Sequence, residues 1–97
     1  MVRLVVVVLF AALAGCGMSP PKATAADAQR ANVQLAELQD GRTLMVRKCG
    51  GCHAPPMPQE HTAGEWPSKL DEMSERSKLD AKQRYLIQQY FVVMAVR

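Results

Sequence analysis

Aromatic residues make up only 5% of this 97-residue chain, which has three cysteines and two histidines. A chain of that length and supply builds one small core and has no room for a second domain. Charge is sparse as well: the net value is +3 and no run of lysine or arginine exceeds two residues. That excludes the basic stripe of a nucleic-acid binder. The longest apolar run, Leu4 to Ala14, falls short of the roughly 20 residues a membrane-spanning helix needs and matches the apolar region of an export signal. Strand-type alternation and internal repeats are missing too, and the remaining periodicity is helical.

Arg3 gives the apolar run a positive start, and small residues close it, so residues 1–15 are expected to be a signal peptide. The sequence "LAGC" at Leu13 to Cys16 resembles the lipobox of bacterial lipoproteins. That resemblance implies a mature chain starting at Cys16, with two or three acyl chains on that residue holding it durably to a membrane. The residue after Cys16 is glycine rather than the aspartate associated with inner-membrane retention, so the resemblance slightly favours the outer membrane. An ordinary signal that leaves a free, exposed thiol is the alternative. Residues 16–30, small and polar with two prolines, are expected to form a flexible lipidated tether, and residues 31–97 the folded domain.

Three helices are expected in that domain. Val33, Leu35, Leu38, Leu44 and Met45 recur at loose helical spacing from Ala31 to Lys48, interrupted by Gly41. A glycine costs a helix about 1 kcal/mol relative to alanine, so its presence suggests close contact with another element. Pro55, Pro56 and Pro58 make the next stretch an irregular loop. The second helix starts near Thr62, where "TAGE" has the form of a capping box, although Pro67 can move the start later. Trp66, Leu70 and Met73 give it one apolar face. Asp80 caps the third helix, Gln83 completes a second capping box, and Ile87, Tyr90, Phe91 and Met94 form the stripe.

The chemistry centres on "CGGCH", Cys49 to His53. C-x-x-C-H in an exported protein is the attachment sequence for c-type haem. Cys49 and Cys52 would form the thioethers and His53 the proximal bond to iron. A thiol–disulfide pair needs a βαβ setting that the pattern lacks. A zinc site would have to draw on Cys49, Cys52, His53 and His61, crowded into one loop. The haem reading also uses every cysteine, one for lipid and two for the cofactor. With so few aromatics, a domain of this size gains a large apolar body from the macrocycle.

From Gly41 to Phe91 the chain resembles a small monohaem class I cytochrome c. Gly41, Met45 and Cys49 stand at that family's glycine, midway and first-cysteine places, and Ile87, Tyr90 and Phe91 fit its last-helix signature, with phenylalanine in place of leucine. The "HTAGEWPSKLDEM" segment resembles short monohaem members with a methionine seven residues after a tryptophan. The resemblance implies an all-α, cytochrome c-like fold of about three helices round one covalently attached haem c, with the last helix crossing the first at Gly41.

The sixth ligand decides the function, because a His/Met pair closes the iron to small molecules and an open site admits them. Met57 is too near His53 to pass round the ring, since four residues span at most about 14 Å. Met45 and Met94 read as core, and Met18 lies in the tether. Met73 has reach and direction, with His61 or an open position as alternatives. Trp66 reads either as a ring packed on haem, its N–H serving a propionate or a backbone oxygen, or as plain core. The expectation is therefore a periplasmic, lipid-anchored cytochrome, not an enzyme, passing single electrons between redox proteins as a monomer or as a subunit of a respiratory or dehydrogenase complex. Alternatives are a haem-based gas sensor or peroxidase-like protein, and an accessory haem subunit of a larger oxidoreductase.

Overall fold

A computed structural model of the chain describes residues 19–49 and 54–96. Cys16, Cys52 and His53, together with the expected signal peptide, lie outside the described residues. The described chain is all-α: α1 (Ala25–Ala31), α2 (Leu35–Cys49), a 3₁₀ turn at Pro58–Glu60, α3 (Trp66–Ser77) and α4 (Ala81–Ala95). None of these helices is long and apolar enough to cross a membrane.

α1 and α4 begin where a side chain provides a partner for free N–H groups. At α1 the Thr24 hydroxyl accepts from the Asp27 backbone N–H, and the Asp27 carboxylate accepts from Thr24 N–H at 2.8 Å. At α4 Asp80 and Gln83 do the same, at 2.8 and 3.1 Å, forming the capping box expected from sequence. The helix expected from Thr62 starts one turn later, at Trp66. Pro67 sits in its first turn, where a missing N–H costs nothing, and Thr62–Glu65 forms a turn in front of it. Asn32 and Lys78, both at φ 53°, end α1 and α3 in the left-handed region and redirect the chain.

Among the described residues four α-helices are present where about three were expected, and the added one, α1, falls mostly in the stretch assigned to the tether. The expectation of a flexible tether is corrected for residues 19–30. The Pro20 carbonyl accepts from Arg42 Nε at 2.9 Å, and the Pro21 carbonyl accepts from the Tyr90 hydroxyl at 2.6 Å. Arg30 donates to the Val93 carbonyl at 2.8 Å while also pairing with the buried Asp27. Ala23 and Ala28 are buried in the common core. Small size is what lets these residues lie flat on the helices, although it resembles a linker composition.

The core lies between α2, α3 and α4, and α4 touches every other helix. Leu38, Met45, Trp66, Leu70, Ile87, Tyr90, Phe91 and Met94 are wholly buried there. α2 and α4 cross at Gly41. A Cβ on that residue would sit 2.8 Å from the Leu86 carbonyl carbon and 3.1 Å from Tyr90 Cβ, so only glycine permits this approach. The close contact inferred from that glycine is present in the fold.

Candidate cofactor-attachment site

Cys49 is the last residue of α2 and lies on the same buried stripe as Leu38, Gly41 and Met45. Helical periodicity thus directs the first cysteine of the motif inward. The residue is 7% exposed and carries a free thiol. Burial pushes its pKa up, and a hydrogen bond with Ser77 partly offsets the rise. At neutral pH it is therefore a thiol rather than a thiolate.

Ser77 carries the geometry further, because it ends α3 and lies four residues beyond Met73. Residues at that spacing stack on one helix face. The first cysteine of the motif is thereby brought against the turn of α3 that follows Met73. Met73 is half-buried and packs on the edge of the core, while Trp66 and Leu70, earlier on the same face, are wholly buried.

Trp66 is the centre of a second cluster. Its ring stacks on Phe91, with centroids 3.8 Å apart and planes 9° from parallel. His61 meets it edge-on at 4.9 Å and 84°. The indole N–H donates to the Pro58 carbonyl at 2.8 Å, so of the two acceptors expected for it the structure supplies the backbone oxygen. Beside it Gln59 Nε2 donates to the Met94 carbonyl at 3.2 Å. The loop after the motif is thus fastened to both α3 and α4.

Nothing matches this chain among protein-family models, curated proteins or solved structures. Its chemistry is therefore read from its own residues. Among the described residues no three histidine, cysteine or acidic side chains converge on a metal position. Of the four residues considered for zinc, only Cys49 and His61 are described, and they belong to separate clusters. For haem the described donors fit chemically: a buried Cys49 thiol, and a thioether on α3 one turn from that thiol's partner Ser77. Arg47 and Lys48 are exposed on the last turn of α2 beside the motif.

Sequence reasoning missed two participants. Ser77 was discoverable, since it continues the Met73 face at i+4. The Pro58 carbonyl was not, because a backbone acceptor leaves no residue-type signal. Glu65 adds a local feature next to Trp66: its pKa is held below the ordinary glutamate value by hydrogen bonds from the Thr62 hydroxyl and then from the Thr62 N–H.

Proposed function

We propose that this chain is a membrane-anchored periplasmic c-type cytochrome that carries single electrons between redox partners. The observation that supports this best is the C-x-x-C-H motif in a chain that opens on an export-type apolar run, its first cysteine buried at the end of a helix that crosses the last helix at Gly41. Haem c would supply a one-electron ferric/ferrous couple. The chain's own residues do the rest. Cys49 and Cys52 would hold the group by thioether bonds, and His53 and Met73 would be its iron ligands. The α2–α4 crossing and the fastened loop would keep these donors from moving, which keeps reorganisation small when charge changes. Cys16 would carry the lipid, and donor and acceptor proteins would dock through a small transient surface.

The test is the optical spectrum of the haem-loaded protein, oxidised and reduced, with and without carbon monoxide, beside Met73→Ala. A sulfur-to-iron charge-transfer band in the parent, lost in Met73→Ala, with no carbon monoxide shift in the parent, is the expected result. A parent that binds carbon monoxide and is unchanged by Met73→Ala would overturn the electron-carrier reading in favour of ligand binding or catalysis. If His61 were the ligand, His61→Ala rather than Met73→Ala would open the iron.

A further inference from the structure

We propose that residues 19–31 form an exchangeable strap, and that two copies of this chain pair by each laying its Pro20–Ala23 segment in the α2–α4 groove of the other. The inference is independent of the haem and lipid readings above.

The segment sits on the groove as a ligand sits in a site. Pro20 precedes Pro21, which holds it in the polyproline II region, where a chain makes three residues per turn and no hydrogen bonds of its own. Burial follows that period: Pro20 and Ala23 are buried, whereas Ser19, Lys22 and Thr24 are exposed. The carbonyls of the successive prolines accept from two different helices, from Arg42 Nε of α2 at 2.9 Å and from the Tyr90 hydroxyl of α4 at 2.6 Å. Both donors stand at the helix crossing, since Arg42 follows Gly41 in sequence and Tyr90 Cβ lies 3.1 Å from where a Cβ on Gly41 would be. Recognition of this kind reads a preformed extended backbone, so it works equally for a segment of the same chain or of another.

The hinge is what selects a second copy. Only Asn32, Val33 and Gln34 separate α1 from α2, and the turn depends on Asn32 at φ 53°, a left-handed conformation uncommon outside glycine. Neither glycine nor proline stands among these three residues. No residue type in the hinge therefore stops α1 from running on into α2 as one helix over residues 25–49, about 37 Å long. In that form the strap points away from its own groove. Its contacts are then recovered on a partner copy, whose strap returns the same contacts by two-fold symmetry. Short hinges under backbone strain favour this exchange. The bonds to Arg42, to Tyr90 and from Arg30 to the Val93 carbonyl are all remade between copies, so the balance between closed monomer and exchanged pair rests on the hinge and on concentration.

The experiment uses the full chain with Cys16→Ser, so that no lipid drives association, and reads the dimer dissociation constant by light scattering across a concentration series. The parent is expected to pair as its concentration nears the millimolar effective concentration of a strap tethered beside its own groove. Asn32→Ala favours the continuous helix and should tighten the pair at least about tenfold, whereas Asn32→Gly, which suits the left-handed turn, should loosen it by a similar factor. Neither substitution touches the donors or acceptors that hold the strap, and Asn32→Gly keeps the test decisive if Asn32→Ala does not fold. A mixture of isotope-labelled and unlabelled copies then locates the contact, through a nuclear Overhauser effect between Pro21 or Ala23 of one copy and the Tyr90 ring of the other. A chain that stays monomeric at millimolar concentration in all three forms overturns the inference. So does a dimer that is insensitive to position 32 or that lacks the effect between copies, since its contact then lies on another face.

Discussion

The carboxylate of Glu65 is exposed, yet its protonation is tied to the local fold. It accepts from the Thr62 hydroxyl at 2.8 Å and from the Thr62 backbone N–H at 3.2 Å, and these bonds favour the ionised form. The folded pKa thus lies below the ordinary value of 4.5. A depressed carboxyl pKa stabilises the fold above the unfolded-state value and loses that contribution as pH falls through the folded one. Glu65→Gln removes the titration while keeping the shape. Thermal unfolding of parent and variant should therefore show the parent ahead near neutral pH and the gap closing below pH 4.5. A gap that stays constant down to about pH 3 would mean that the Thr62 bonds do not depend on ionisation.

At the level of elements, the crossing of α2 and α4 is the feature most exposed to a single change. A methyl at Gly41 meets the backbone carbonyl of Leu86, which cannot move without carrying α4 with it. Alanine gains about 1 kcal/mol of helix propensity, but overpacking against backbone costs about 1–3 kcal/mol and here belongs at the upper end. Gly41→Ala should destabilise by about 1–2 kcal/mol in denaturant unfolding, and Gly41→Val should not give a folded protein. An alanine variant as stable as the parent would mean that the helices separate at no cost. That Gly41 meets another element was readable from sequence, because a glycine inside a helical pattern has few other uses, whereas the choice of the last helix as that element came only from the family resemblance. So were the α4 cap and its buried stripe of Ile87, Tyr90, Phe91 and Met94, where residue type and spacing agree. α1 was not readable. "AADAQRA" offers no large apolar face, and its neighbours hold on through the carbonyls of Pro20 and Pro21, which residue identity does not reveal. The start of α3 was displaced for the opposite reason, since the Thr62–Glu65 signal is real but closes a turn ahead of the helix. Of the candidate site, the stripe position of Cys49 and the shared face of Trp66 and Met73 follow from periodicity, whereas the Trp66–Pro58 link depends on a tertiary path.

Across the whole molecule, the packed N-terminal segment changes what counts as the domain. A chain cut at Ala31 keeps α2, α3 and α4 but loses the acceptor for Arg42, the acceptor for the Tyr90 hydroxyl, and the Arg30 contact to Val93. Each such hydrogen bond contributes about 0.5–1.5 kcal/mol, and the uncovering of α2 and α4 beside Ala23 and Ala28 adds an apolar loss. The total is about 3 kcal/mol, a large fraction of the margin available to a domain this small. At roughly 4–8 °C per kcal/mol for a chain of this size, residues 32–97 should unfold at least about 10 °C below residues 19–97. Tyr90→Phe separates one bond from the rest, since it removes only the hydroxyl that reaches Pro21 and should cost about 1 kcal/mol in the longer chain. In the shorter chain that acceptor is gone, so the same substitution should cost measurably less, and the difference is the coupling between strap and crossing. Equal melting of the two chain lengths would return residues 19–31 to the role of a linker. A clear difference would place the strap inside the folding unit and leave only the few residues between Cys16 and Pro20 to separate the domain from its proposed lipid.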